Sequence, residues 1–279
     1  MSKINKTILK WAGSKVRIME QLRPHLPKTN YLVEPFAGSC AVMMNTDYDA
    51  YLIADVNADL INLYTQIIES PQLFIADTKR WFKGQNDEDG YYHSRSLFNY
   101  FKSEFALLDE IQATPREMAT LFLYLNRHGY NGLCRYNKEG GFNVPFGKYK
   151  QPYFPEDEIN AFVLKAKKSI ITNLEWQDTL SLAECDDGIY CDPPYMGDNF
   201  TQYHAAGFND ADHETLAIAL KDLNDNQGNP ITVSNSILAK ELYSDLGFVI
   251  HEIDAPRSIA GNGNRQTAKE IIAVLEGCL

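Results

Sequence analysis

The segment NYLVEPFAGSCAVMMNTDYDAYLIADVN, residues 30–57, predicts a strand, a turn of small residues, a helix and a second strand. Each apolar strand ends in an acidic residue, Glu34 or Asp55. The next apolar residues, from Leu60 to Ile68, recur at helical spacing. Such an alternation of strands and helices is typical of α/β proteins with a parallel sheet.

The remaining chain divides into a helical part and a second stretch of alternating strands and helices. Between about residues 71 and 128 only helical patterns occur, and Pro71 and Pro115 stand where first helical turns begin. Residues 128–155, rich in glycine, aromatic and basic residues, follow as an irregular segment. Beyond it, helices are predicted at 156–168, 211–224 and 236–245, and strands at 169–172, 188–192, 230–235, 248–254 and 270–277.

From this division we predict a discontinuous sheet domain made of residues 1–58 and 156–279. A mostly helical domain of residues 59–155 is inserted into it, and a basic hairpin or loop at 127–155 completes the insertion. The fold class predicted is α/β, with a Rossmann-like sheet.

The net charge of −11 argues against a nucleic-acid partner, but the charge is unevenly distributed. Residues 1–28 carry +6, residues 126–150 carry +4 and residues 256–269 carry +3, so the rest of the chain carries −24. One basic face on an acidic body would suit a polyanion. Three basic loops without a common function would explain the charges equally well.

The cysteines and the hydropathy of the sequence indicate the cellular compartment of the protein. The five cysteines are odd in number and show no C-x-x-C spacing, so we expect free thiols in a reducing cytoplasm and no metal site. The apolar stretches, such as residues 121–125, are too short to cross a bilayer. Residues 1–15 lack the apolar core of a signal peptide. We therefore expect a cytoplasmic protein without a membrane partner.

The turn EPFAGS, residues 34–39, is a candidate ligand site. Small residues after a first strand let a ligand approach the backbone, and an acid ending the next strand, here Asp55, can bind ribose hydroxyls. The dinucleotide pattern G-x-G-x-x-G and the phosphate loop are absent, which favours a nucleoside without phosphates, such as S-adenosylmethionine. A purely structural turn is an equally good interpretation of these residues alone.

The run YCDPPY, residues 190–195, holds Asp192 rigidly at the end of an apolar strand. The exocyclic amine of a base is a poor nucleophile because its lone pair is delocalised into the ring. The Asp192 carboxylate and the Pro193 carbonyl could accept its two N–H bonds and localise that lone pair. The Tyr195 ring could fix the plane of the base by stacking. The pattern favours an amino-methyltransferase, although a plain turn with a packed ring is the alternative.

Taken together, six blocks of the sequence resemble the DNA adenine methylase (Dam) family. The blocks are LKWAGSK (9–15), LVEPFAGS (32–39), YLIADVN (51–57), LFLYLNRHGYNGLCRYN (121–137), FNVPFGKYKQPYFP (142–155) and YCDPPY. They follow the family's order, and the resemblance covers about positions 8 to 275. It implies a class I S-adenosylmethionine methyltransferase sheet with an inserted DNA-recognition domain. The implied reaction is methylation of adenine N6 in duplex GATC, with base flipping.

The resemblance also implies a role for each matching residue. The implied catalytic residues are Asp192, Pro193 and Tyr195. The implied cofactor-binding residues are Trp11, Lys15, Phe36, Ala37, Gly38, Asp55 and Asp192. The implied DNA-binding residues are Lys10, Tyr130, Asn131, Leu133, Arg135, Pro145, Lys148 and Lys150.

Within the DNA-binding set, Tyr130 resembles the family's wedge between base pairs, and Asn131 stands beside it at the base step. Arg135 and Lys10 resemble guanine readers, while Leu133 and Pro145 match apolar contacts to a thymine methyl group. The residues alone also allow other interpretations: Tyr130 and Leu133 could pack beneath the loop, and Arg135 could pair with Glu139. Two positions depart from the family pattern, since Ser14 replaces a glycine and Lys148 an arginine.

The resulting hypothesis is a site-specific adenine DNA methyltransferase that acts as a monomer on double-stranded DNA. It would mark DNA for replication or repair, or accompany a restriction enzyme. The alternatives are an amino-methyltransferase acting on RNA or protein glutamine, and a catalytically inactive DNA-binding relative.

Overall fold

A seven-stranded sheet forms the centre of the computed structural model, which describes residues 4–103, 112–197, 208–256 and 267–277. The strands are β1 (Tyr31–Glu34), β2 (Ala50–Ala54), β3 (Ser169–Thr172), β4 (Gly188–Cys191), β5 (Ile231–Ser236), β6 (Val249–Pro256) and β7 (Thr267–Leu275). Their order across the sheet is β3-β2-β1-β4-β5-β7-β6. The strands from β3 to β5 run parallel, and β7 is antiparallel to both of its neighbours.

The parallel part of the sheet brings the predicted site to one edge. Central strands buried on both faces read as continuous apolar runs, and β1 and β4 do so in this chain. In the register of the sheet, Glu34 pairs with Ile53, and Val33 pairs with Ile189. The carboxyl ends of β1, β2 and β4 therefore lie side by side.

The helices are α1 (Met19–Leu22), α2 (Ala41–Asn45), α3 (Ala58–Glu69), α4 (Pro71–Gly84), α5 (Glu88–Phe101), α6 (Pro115–His128), α7 (Glu156–Ala166), α8 (Trp176–Ser181), α9 (Asp210–Gln227) and α10 (Lys240–Asp245). Pro71 and Pro115 each occupy the first turn of a helix, as predicted. Thr114 and Glu117 form a capping box that fixes the start of α6. The predicted continuation of α5 into residues 104–108 lies outside the described residues.

The helical segment shares a hydrophobic core with one face of the sheet. Leu60, Phe98 and Phe122, from α3, α5 and α6, belong to the same buried cluster as Leu32 and Ile53 of the sheet. Burial of these side chains is the main force that holds the helices against the strands. The predicted domain boundaries stay a prediction.

Three features of the fold differ from the sequence interpretation. Strand β7 lies between β5 and β6 and runs antiparallel, where the apolar pattern indicated only a further strand. The connection of ten residues between β6 and β7 is too short for the helical crossover that parallel neighbours need. Helix α8 was not predicted, and the predicted helix at 236–245 begins as a 3-10 turn, Ile237–Ala239.

Over the described ranges, no helix combines the length and the apolar character that crossing a bilayer requires. The thiols of Cys40, Cys134, Cys185 and Cys191 are free, while Cys278 lies outside the described residues. Arg257 and Arg265, which contribute to the third basic stretch, lie outside them as well.

Candidate active site and nucleic-acid interface

Asp192 lies immediately beyond the buried strand β4. Its Oδ2 atom accepts a hydrogen bond from Lys15 Nζ at 2.6 Å. Its Oδ1 atom is buried and has no hydrogen-bond partner among the described residues. Buried polar atoms in proteins are nearly always paired. Oδ1 is therefore available to accept a hydrogen bond from a donor outside the described residues.

Burial and two neighbouring charges shift the pKa of Asp192 in opposing directions. Burial raises the pKa of Asp192 to about 6, the Lys15 ammonium opposes that rise, and the charge of Glu270 adds to it. Burial also raises the pKa of Glu34 to about 8, and the neighbouring charge of Asp192 contributes. Both carboxyls therefore ionise less readily than exposed ones, and Glu34 ionises less readily than Asp192.

Lys15 joins the N-terminal segment to Asp192, at the end of β4. It is 4% exposed, and its ammonium also donates to the Gly13 carbonyl at 2.7 Å. The same ammonium lies 4.9 Å from the centroid of the Tyr195 ring. Two sequence blocks separated by 177 residues thus meet at one ion pair.

The turn after β1 is closed by Asp55. The Gly38 N–H donates to Asp55 Oδ2 at 2.9 Å, and the Asn57 N–H donates to Oδ1 at 2.9 Å. A carboxylate oxygen can accept more than one hydrogen bond, so these two bonds are compatible with contact between Asp55 and a ribose hydroxyl. The Ala37 N–H donates to the Ala54 carbonyl, which holds the turn against the end of β2.

Trp11 packs directly on this turn. A Cβ atom at Gly38, whose φ is +45°, would lie 2.9 Å from Trp11 Nε1, so both the conformation and the contact require glycine. Phe36 is half-buried and meets Phe208 edge to face at 5.9 Å. Together with the open Asp192 oxygen, the tryptophan, the glycine turn and the acid fit a bound nucleoside with a methyl group to transfer.

Ser14, which stands where the resemblance implies a glycine, forms a hydrogen bond with the turn after β1. Its Oγ atom accepts from Ser39 Oγ at 3.0 Å. The contact links the N-terminal segment to the turn, in addition to the packing of Trp11.

The segment after α6 forms a short hairpin-like structure. Isolated bridges pair Gly129 with Phe146 and Tyr136 with Phe142. The Tyr130 N–H donates to the Pro145 carbonyl at 2.8 Å, while its side chain is 46% exposed. The exposed Asn131 has a φ of 55°. Tyr130 is thus turned outwards and is not part of a core beneath the loop.

Arg135 is held in place by Asn143. Its Nε atom donates to Asn143 Oδ1 at 2.7 Å, and its terminal nitrogen donates to the Asn143 carbonyl at 3.2 Å. No ion pair with Glu139, the structural alternative, occurs in the described part of the chain. Leu133 is half-buried and packs against the core, which agrees in part with its structural alternative.

The remaining DNA-binding candidates lie around the same segment. Pro145, Lys148 and Lys150 are exposed. The ammonium of Lys10 lies 4.2 Å from the centroid of the Tyr149 ring, and the pKa of Lys10 is lowered by partial burial and by the charge of Arg127. The exposed lysines supply positive charge without a specific orientation.

Several residues that organise the site were not found from the sequence. Asn126 and Arg127 are buried within α6, and both bond to the N-terminal segment. Glu270 accepts a hydrogen bond from the Tyr195 hydroxyl at 2.8 Å. Of the residues that organise the site but were not assigned a role, only Glu34 is recognisable from the sequence, because it is the acid that ends an apolar strand.

Two shallow clefts, of about 370 and 380 Å³, lie beside α2 and contain none of the predicted site residues. Among the described residues no group of three or more His, Cys, Asp or Glu side chains could hold a metal ion.

Comparison with known proteins bears on this site. The model of the D12 class N6 adenine-specific DNA methyltransferase family matches residues 11–259. The retron Ec67 DNA adenine methylase of Escherichia coli is 48% identical over 271 residues, which are 96% of this chain and 90% of that protein. The DNA adenine methylases of Vibrio cholerae serotype O1 and of Escherichia coli strain K12 are 40% and 39% identical over 280 residues, which are 98% of this chain and 96% of each protein.

Among solved structures, a precorrin 8W decarboxylase from Methanobacterium thermoautotrophicum aligns over 95% of this chain and 90% of that chain. Its TM-score is 0.37 and its identity is 12%, which is too low a likeness to support an argument. The family match and the relatives, which cover nearly the whole chain, do support one: the chain belongs to the D12 class of N6 adenine-specific DNA methyltransferases.

Proposed function

We propose that the enzyme transfers a methyl group from S-adenosylmethionine to N6 of adenine in duplex GATC, and that the target base leaves the stack before it reacts. The observation that carries the proposal is the buried Asp192 Oδ1 atom, an acceptor without a partner among the described residues. The adjoining Pro193 carbonyl and Tyr195 ring are the other two parts that an exocyclic amine requires.

The residues around Asp55 support the choice of methyl donor. When bound, S-adenosylmethionine supplies an electrophilic methyl group on a sulfonium sulfur. Asp55 would bind its ribose hydroxyls, and Trp11, Phe36 and Gly38 would enclose the rest of the nucleoside. Lys15 would close the site over the cofactor while it neutralises Asp192.

At the reacting nitrogen, Asp192 accepts one N–H bond and the Pro193 carbonyl accepts the other. The lone pair thereby localised on N6 would form the new N–C bond, while the bond between the methyl carbon and the sulfonium sulfur would break and leave its electron pair on sulfur. After the transfer the nitrogen is cationic and sheds one proton. Asp192, with its pKa raised to about 6, is the adjacent acceptor.

Sequence recognition would come from the segment after α6. An adenine inside a duplex is too deep to reach Asp192, so the reaction requires base flipping, and the exposed ring of Tyr130 can fill the gap. Arg135 and Lys10 would read the two guanines, and Leu133 and Pro145 would contact thymine methyl groups. Asn131 would adjoin the opened base step, and Lys148 and Lys150 would bind phosphates.

As part of the same proposal, the enzyme acts as a monomer on chromosomal or phage DNA in the cytoplasm. It either marks DNA for replication or repair or accompanies a restriction enzyme.

The test is transfer of labelled methyl from S-adenosylmethionine to two short duplexes, one with GATC and one with GTAC. Label on the adenine of the first duplex only is expected. Equal label on both would contradict the recognition site, and label on RNA or a protein glutamine alone would contradict the substrate.

A further inference from the structure

Glu270 reaches the active site because β7 is antiparallel. It lies near the start of β7, where it pairs with Ser236, the last residue of β5. Since β5 runs parallel to β4, its end lies at the same edge of the sheet as Asp192. Because β7 runs in the opposite direction, Glu270, near its start, lies at the same edge of the sheet as the last residues of β4 and β5.

The carboxylate of Glu270 holds the end of the Tyr195 side chain. The Tyr195 hydroxyl donates to Glu270 Oε2 at 2.8 Å, which is a common length for an O–H···O hydrogen bond. A tyrosine side chain has two main rotatable bonds. A fixed hydroxyl therefore fixes the position of the ring and limits its tilt, while the Lys15 ammonium lies 4.9 Å from the ring centroid.

We propose that Glu270 is a positioning residue, which orients the Tyr195 ring for stacking on the target adenine. This inference rests on the proposed function, because it requires that Tyr195 contacts the base. It does not follow from the predicted site residues, none of which lies on β7.

Glu270 also acts on Asp192 through its charge. Its negative charge helps to raise the pKa of Asp192, so loss of the charge lowers that pKa. Among the described residues, the titratable groups that interact with Asp192 are Lys15, Glu34, Tyr190, Cys191, Tyr195 and Glu270. Of these, Glu270 and Lys15 each combine a charge with a direct contact to a catalytic side chain.

Two substitutions separate the hydrogen bond from the charge. Glu270→Gln keeps an oxygen that can accept from Tyr195 but removes the charge, and Glu270→Ala removes both. Labelled-methyl transfer to the GATC duplex is measured from pH 5 to pH 9 for both variants, for Tyr195→Phe and for the Glu270→Ala/Tyr195→Phe double variant. Thermal unfolding is recorded for each.

We expect Glu270→Ala to lower kcat by roughly 10-fold, with KM for duplex and cofactor changed by less than about 3-fold. Tyr195→Phe is expected to do the same, and the double variant to lose no more than either single variant. Glu270→Gln should keep most of kcat above pH 7 and move the acid limb of the profile to lower pH. Glu252→Ala is the control. It removes a carboxylate on β6, the strand beside β7, that pairs with Lys240. It should change neither kcat nor the acid limb of the pH profile.

A folded Glu270→Ala variant with the kcat of the wild type would overturn the inference, and so would additive losses in the double variant. If Glu270→Ala does not fold, Glu270→Gln decides: a 10-fold loss of kcat at every pH contradicts the positioning role. An unmoved acid limb contradicts the effect of the Glu270 charge on Asp192. In each of these cases wild-type transfer shows that the proposed function survives. Absence of wild-type transfer to duplex adenine would overturn both.

Discussion

The side-chain amide of Asn126 bonds to both backbone groups of Lys10. The Lys10 N–H donates to Asn126 Oδ1 at 3.1 Å, and Asn126 Nδ2 donates to the Lys10 carbonyl at 2.8 Å. The same Nδ2 donates to the Gly132 carbonyl at 3.0 Å. One buried amide therefore ties the N-terminal segment, which carries Trp11, to the segment after α6.

Asn126→Ala is expected to lower the free energy of unfolding by about 2 kcal/mol, because it removes the partner of two half-buried backbone groups of Lys10 and of the buried Gly132 carbonyl. The measurement is urea unfolding with an unchanged m-value. Asn62→Ala is the matched control, since its Nδ2 donates to the Pro115 carbonyl at an exposed site. Equal losses in the two variants would contradict the special role of Asn126.

Glu34→Gln should make stability less dependent on pH. The unfolded carboxyl ionises near 4.5, whereas the folded one ionises only near 8, so Glu34 contributes stability that is present below 4.5 and lost as the pH rises through 8. Between pH 5.5 and 7.5 the wild type should lose up to about 1.4 kcal/mol per pH unit that the variant keeps. The check is urea unfolding at both pH values, with the exposed Glu69→Gln as control. Parallel curves for wild type and Glu34→Gln would refute a protonated Glu34.

Arg135→Ala should relax discrimination at one base pair by ~1–3 kcal/mol. The measurement compares methylation rates on duplexes that carry each single substitution in GATC. Asn143→Ala, which removes the partner that orients Arg135, should relax the same position to a smaller extent. Arg80→Ala, on an exposed face of α4, serves as control. An unchanged sequence profile in Arg135→Ala would remove this residue from the recognition set.

Lys150→Ala should weaken binding of all duplexes alike. The Lys150 carbonyl accepts from Asn86 Nδ2 at 3.3 Å, so the backbone stays anchored when the side chain is shortened. Loss of one phosphate contact should reduce the slope of log K against log salt by about one unit. Binding of GATC and GTAC duplexes over a salt series provides the check. Weakening confined to GATC would show a base contact instead.

Much of the fold followed from local patterns. The strands β1, β2 and β4 were predicted because their apolar runs end at an acid or a proline, and α6 because Pro115 marks its first turn ahead of a helical pattern. The direction of β7 was not predictable, since alternation of side chains is the same in parallel and antiparallel strands.

The site was only partly accessible from the sequence for a similar reason. Asp55 and Asp192 follow apolar strands and are recognisable as candidates. Glu270 and Asn126 act through partners 75 and 116 residues away, and neither the spacing nor the residue type indicates those pairings. The burial that raises the pKa of Glu34 likewise depends on packing by the whole chain.

The most direct test of the account is single-turnover methyl transfer by Asp192→Asn, measured beside duplex binding and thermal unfolding. The amide keeps the shape of the side chain but removes the charged acceptor beside the reacting nitrogen. We predict that transfer falls by at least about 100-fold while the folded variant still binds the GATC duplex. Transfer at the wild-type rate by Asp192→Asn would contradict the assignment of Asp192 as the group that activates adenine N6.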